Sequence, residues 1–183
     1  MTSRLSMSRR ASLGAVLTGC ALFCSAWAAP ASSDNKGAML EAPKDKVILT
    51  IRGKISRTNG PDRADFDMRM LAALPQHSFT TRTPWDKSPR KFTGPKLRDV
   101  LQLVGANGRT ILAVALNDYK VELPVDDTQQ FDVVLARLMD DQPMRVRDRG
   151  PLFIVYPYDS FEQLRTDRYI SRSAWQLRSL DIL

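Results

Sequence analysis

The chain has 183 residues, 43% of them hydrophobic and 26% charged, with eleven prolines. That balance suits about one folded domain and excludes a disordered, collagenous or coiled-coil polypeptide. The formal charge is +7, part of it from Arg4, Arg9 and Arg10 near the start; the rest is spread evenly, without the basic clusters interleaved with aromatics that nucleic-acid binding uses.

Met1 to Arg10 is polar and basic, Ala11 to Trp27 is apolar, and Ala26-Trp27-Ala28 sets small residues at the −3 and −1 positions of a cleavage site. This pattern predicts a secretory signal over residues 1–28 and a periplasmic mature protein. Ser8-Arg9-Arg10-Ala11-Ser12-Leu13 is twin-arginine-like, with Ser12 in place of the usual Phe, and Leu17-Thr18-Gly19-Cys20 also fits a lipoprotein cleavage box. No later stretch reaches the ~20 apolar residues of a membrane span. Both cysteines, Cys20 and Cys24, lie in the leader. Cleavage at Ala28 therefore leaves a chain with no disulfide, no thiolate nucleophile and no Cys ligand for a metal. His77 is the only histidine and no Gly-x-Ser-x-Gly elbow occurs, so Ser-His-Asp catalysis has little to stand on.

Residues 29–45, rich in Ala, Ser and Pro, read as a flexible tether, with order starting near Lys46 and one domain over residues 46–183. Val47 to Ile51 is a β-rich run ended by Gly53. Phe66, Met70 and Leu71 at helical spacing predict a helix from about Arg63 to Ala73. Ser78 to Thr83 alternates as a strand. Gly94-Pro95 opens a second helix whose stripe is Leu97, Val100, Leu101 and Val104, closed by Gly105. Ile111–Leu116 and Tyr119–Leu123 form a hairpin about Asn117-Asp118. Val133–Met139 and Met144–Val146 flank a turn at residues 140–143, Leu152–Tyr156 is a buried strand entered through Gly150-Pro151, and Trp175 to Leu183 alternates. Leu97, Leu101, Val114, Leu135, Leu138, Phe153 and Val155 are expected in the core, and Trp175 with them. Short strands broken by two or three helices predict an α+β domain, mixed or antiparallel and β-rich, not a doubly wound sheet.

Phe92-Thr93-Gly94-Pro95-Lys96-Leu97-Arg98-Asp99-Val100-Leu101, then Asn117-Asp118-Tyr119, then Arg149-Gly150-Pro151-Leu152-Phe153-Ile154-Val155-Tyr156-Pro157 together resemble the sulfite-oxidase-like molybdopterin-binding domain over about Val47 to Leu183. The resemblance implies a pterin pocket and, in the enzymes, one cysteine holding molybdenum on the strand before the Gly-initiated helix. Here that place falls near Thr81, in Phe79-Thr80-Thr81-Arg82-Thr83-Pro84-Trp85. A threonine hydroxyl is a hard, weakly acidic ligand that replaces a soft thiolate poorly. A Gly-rich cofactor loop ending in Lys-Trp is also replaced, by Tyr158-Asp159-Ser160-Phe161 and Ala174-Trp175.

With these departures the chain is similar to periplasmic, molybdenum-free proteins of this fold that bind a reduced, tetrahydropterin-type pterin. Those proteins regulate an inner-membrane enzyme making or degrading cyclic di-GMP, through its periplasmic domain. The alternatives are a molybdopterin oxidoreductase with a non-Cys metal ligand and a ligand-free interaction scaffold. A pterin needs an aromatic face, an acceptor for its amino edge and donors for its carbonyl. Trp85 is the stacking candidate; Asn117, Asp118 and Tyr119 the edge group; Arg82, Arg147, Asp148 and Arg149 the polar donors and their partner. Thr81 and Thr83 occupy the former ligand strand, and Tyr156, Tyr158 and Asp159 the altered loop.

Overall fold

A computed structural model describes residues 39–183, so the expected leader and the first part of the expected tether, residues 29–38, lie outside the described residues. The fold is α+β, with many antiparallel strands and four short α-helices. β1 (Leu49–Gly53) places Leu49 and Ile51 inward and Thr50 and Arg52 outward, the period-2 alternation of a half-buried strand. It pairs antiparallel with β2 (Arg63–Phe66) and parallel with β11 (Leu177–Ile182). β5 (Thr110–Ala115) and β6 (Lys120–Pro124) complete a sheet of order β2-β1-β11-β5-β6.

A four-stranded sheet joins β3 (Gln76–Thr81), β4 (Arg90–Pro95), β8 (Leu138–Met139) and β9 (Gln142–Pro143), and a two-stranded ribbon pairs β7 (Val134–Ala136) with β10 (Phe153–Val155). Gly94 is where the backbones of β4 and β7 meet: a Cβ there would collide with the Leu135 carbonyl, so only glycine allows the approach. The core runs between these layers, with Phe92 edge-on to Phe153 at 5.6 Å.

The helix expected over residues 63–73 begins only at Met68. Ala64 and Phe66 alternate inward and pair with β1, and Asp67 then caps α1 (Met68–Ala73) by accepting from Met70 N–H at 2.8 Å. Gly94-Pro95 ends β4, and α2 runs from Leu97 to Leu103 on the expected stripe. α3 (Val125–Gln130) has no apolar periodicity and was not expected. The turn placed at residues 140–143 is tighter: Met139 pairs with Gln142, leaving Asp140 and Asp141 as a two-residue loop with φ of 50° and 62°, as a twisted hairpin demands. Met144–Val146 forms no strand, and Leu138 is half-buried.

The tether also ends earlier than expected. Leu40 N–H bonds the Thr58 carbonyl, Asn59 holds the Glu41 carbonyl, and the N–H groups of Lys44 and Asp45 donate to the Asp67 carboxylate. Residues 40–45 are part of the fold.

Candidate functional site

β3 ends at Thr81 against the loop that follows β10. Thr81 is 1% exposed. Its hydroxyl accepts from Asp159 N–H at 3.0 Å and donates to the Arg82 carbonyl at 3.4 Å. Asp159 in turn accepts from the main-chain N–H of Arg82 at 2.9 Å. Asp159 lies 77 residues beyond Arg82 in the sequence, and the fold sews it to the Thr81-Arg82 pair.

Thr83, also buried, donates to Asp86 at 2.6 Å and accepts from Trp85 N–H at 3.3 Å. Asp86 receives two bonds from the Arg149 guanidinium, at 2.6 and 2.8 Å, and Arg149 also donates to the Trp85 carbonyl. Burial alone would raise the Asp86 carboxyl; the bonds from Arg149 and Thr83 outweigh it and hold the group below the usual carboxylate range. Arg149 is therefore spent on fixing Trp85 and is not the ligand-facing donor expected. Its own backbone is left-handed, φ 75°.

Trp85 is half-buried and meets Trp175 edge-on at 4.9 Å and Phe153 at 6.0 Å. Trp175, expected in the core, is partly buried and packs against it while bordering the same space. The two indoles line a cavity of about 270 Å³ with Asn117, Tyr119, Ile170, Ser171 and Ser173. Tyr119 donates its hydroxyl to the Ser171 carbonyl at 2.9 Å, and the Asn117 side chain accepts from Tyr119 N–H. A second cavity of about 280 Å³ lies between Arg82, Thr83, Pro84, Tyr158, Asp159 and Arg165, and Ile170 borders both. Each is close to the lower end of the roughly 300–1,000 Å³ typical of small-ligand pockets.

Several expected contacts go elsewhere. Asp118 sits at φ 63°, outside the cavity lining, and pairs with Arg178 at 2.7 Å. Arg147 is exposed, and Asp148 accepts from Arg145 at 2.6 Å beside a different surface hollow. Tyr156 is fully buried and bonds Asp127 at 2.8 Å, so it cannot touch a ligand. Tyr158 does line the second cavity while its hydroxyl bonds Ser173; burial pushes its phenol up to about 12. His77 lies away from both cavities, 3.7 Å from Asp132, which Lys96 and Arg98 also approach; burial, then Lys96, lowers its imidazole.

Sequence reasoning missed Asp86, Arg165 and Ile170 as wall or support residues. It also missed Asp127 and Arg172, whose 2.6 Å ion pair anchors the segment after α4 (Asp167–Ser171). No local motif announces them; Asp86 acts through Arg149, 63 residues away, and Asp127 through Arg172, 45 residues away.

A family model described as the oxidoreductase molybdopterin-binding domain matches residues 42–161. The chain belongs to this family. The match takes in β1 through β10, including β3 with Thr81 at its end and the Arg149–Tyr158 stretch. No curated protein matches the chain. The family binds a molybdopterin-type cofactor, so the residues present can be tested against it. Residues 39–183 contain no cysteine, and the Thr81 hydroxyl at the implied thiolate position already serves as acceptor and donor within the fold. Among the described residues no cluster of three His, Cys, Asp or Glu could hold a metal ion. This donor set does not fit molybdenum–sulfur ligation; the aromatic and amide groups of the 270 Å³ cavity fit the organic, pterin part.

Proposed function

We propose that this molybdopterin-binding-domain protein is a non-enzymatic binder of a reduced pterin, exported to the periplasm. In this reading it is a ligand-dependent partner of the periplasmic domain of an inner-membrane enzyme that makes or degrades cyclic di-GMP. The observation that supports the reading is Thr81: near the place the resemblance gives to the enzymes' sulfur ligand there is a hydroxyl, buried and internally bonded. Family membership supports a pterin as ligand. The basic–apolar–small-residue order of residues 1–28 supports export, and the resemblance to molybdenum-free pterin-binding regulators supports the partner.

In this arrangement Trp85 and Trp175 supply aromatic surface and the Asn117 amide can face the ring edge. Arg149 and Asp86 keep Trp85 in place without contacting ligand. Binding that tightens the wall formed by Tyr119, Ile170 and Ser171 would change affinity for a partner touching that wall, and the partner would change pterin affinity by the same factor.

Two measurements test the proposal. Titration of the folded protein with tetrahydrobiopterin, followed by tryptophan fluorescence, should saturate; a flat titration removes the reading. Protein produced in a host that makes and exports molybdopterin should carry no stoichiometric molybdenum, whereas one metal per chain would establish the oxidoreductase alternative. Partner affinity that ignores the pterin would favour the scaffold.

A further inference from the structure

The 280 Å³ cavity carries two guanidiniums on its wall, Arg82 and Arg165, with side chains 66% and 50% exposed. Both turn to one carboxylate. Asp159 accepts from Arg82 N–H at 2.9 Å and from its Nε at 3.2 and 3.4 Å. An Arg165 Nη2 lies 3.5 Å from the same carboxylate, while Arg165 also donates to the carbonyls of Tyr158 and Asp159 at 3.2 and 3.4 Å. The Asp159 backbone is fixed by its own bond to Thr81. Paired guanidiniums are the ordinary recognition element for a phosphate or carboxylate, and here the chain supplies that anion from its own loop.

We propose that Asp159 is a specificity-determining residue whose carboxylate fills the anion seat between Arg82 and Arg165, so that the site accepts pterins with neutral, hydroxylated side chains and rejects phosphorylated ones. The inference rests on the pterin-binding reading above and narrows its ligand class. A ring held beside Trp85 and Trp175 would send its side chain past Ile170, the residue common to both cavities, towards Asp159. An ionised carboxylate accepts about four bonds and Arg82 makes three of them, so a side-chain hydroxyl can donate to the acceptor position that is left. A phosphate offers mainly acceptors and nearly two negative charges. It must either stay next to the carboxylate or expel it from its donors, leaving Asp159, only 28% exposed, without compensation.

The test compares tetrahydrobiopterin with dihydroneopterin monophosphate on wild-type protein and Asp159→Asn, by anaerobic fluorescence titration at fixed ionic strength. The amide still accepts from Arg82 N–H, so the loop keeps its anchor while both guanidiniums lose their counter-charge. Wild type should bind the neutral pterin at least tenfold more tightly, and Asp159→Asn should gain about tenfold for the monophosphate. Equal wild-type affinities, or an unchanged ratio in the variant, overturn the assignment of Asp159 while pterin binding stands. Failure of folded wild-type protein to bind either compound removes the pterin reading and this inference with it. A salt series on wild type gives a readout that needs no variant: screening should narrow the discrimination as salt rises, and a monophosphate affinity that instead falls with salt overturns the proposal by showing the phosphate seated on the arginines.

Discussion

Arg149 and Asp86 face each other as a two-pronged pair, Nη1 on Oδ2 at 2.6 Å and Nη2 on Oδ1 at 2.8 Å, with side chains only 20% and 12% exposed. The pair lies against the aromatic floor of the candidate site, and the Arg149 guanidinium stands 5.9 Å from the Trp175 ring. Removing one member leaves the other charge poorly solvated. Arg149→Met should lower stability by about 3 kcal/mol, the low end for breaking a buried pair, measured by urea unfolding. The pH dependence has a definite sign. The Asp86 carboxyl is held below its ordinary value of about 3.9, so its contribution is complete above that pH and is lost as acid titrates the folded protein. Asp86→Asn should flatten this acid limb, and an acid limb identical to wild type would show the pair to be energetically silent.

Tyr158 and Ser173 form a second buried contact, hydroxyl to hydroxyl, between the β10 loop and the segment after α4. Tyr158→Phe deletes one partner and strands the other, a cost of about 1–3 kcal/mol. Adding Ser173→Ala should recover part of it, because neither side then keeps an unsatisfied group. Spectrophotometric titration should find one tyrosine ionising near pH 12 and absent from Tyr158→Phe. Since the folded phenol is raised above its unfolded value of about 10, this stabilising term is present at neutral pH and falls away between about pH 10 and 12.

Elements with a clear period and punctuation were legible from sequence. The α2 stripe of Leu97, Val100 and Leu101 and the β5–β6 hairpin about Asn117-Asp118 carry both signals, and both stand where expected. β2 was misread because Phe66, Met70 and Leu71 straddle a strand and a helix and happen to share helical spacing. α3, with the sequence VDDTQQ, shows no apolar face, since it is held by Asp127 and Thr128 turning inward. Of the residues named from the sequence, Arg82, Thr83, Tyr158 and Asp159 line one cavity and Trp85, Asn117 and Tyr119 the other, while Thr81 is buried and bonded to Asp159 without lining either. Asp118 was misassigned because a positive-φ turn fixes where the backbone goes and says nothing about which side chain faces the pocket. Asp86 and Arg149 could not be paired from sequence, being 63 residues apart.

Trp85 has a structural and a binding component that substitutions can separate. Its ring packs edge-on against Trp175 and Phe153 and lines the 270 Å³ cavity. Trp85→Ala should weaken tetrahydropterin binding by about 1–3 kcal/mol, on the scale of aromatic stacking against a base. Trp85→Phe keeps an aromatic edge for Trp175 and should lose less affinity while remaining close to wild type in thermal unfolding. Calorimetric titration of both variants checks this, and an alanine variant that is destabilised yet binds normally would make Trp85 a packing residue only.

Asp127 is 5% exposed, accepts from Arg172 at 2.6 Å and from the Tyr156 hydroxyl at 2.8 Å, and so ties α3 and β10 to the segment that carries Ile170, Ser171 and Ser173. Arg172 also lies 5.1 Å from the Tyr169 ring. Asp127→Asn preserves shape and removes the charge, leaving a guanidinium with little access to water. The expected cost is about 3–5 kcal/mol, read from denaturant unfolding. Ile170 borders both cavities, so loosening its anchor should also lower pterin affinity, although Asp127 touches neither cavity. Hydrogen exchange over residues 167–173 separates the two effects: faster exchange there with a weaker pterin complex supports the linkage, while global loss of protection would reduce Asp127 to a stability residue.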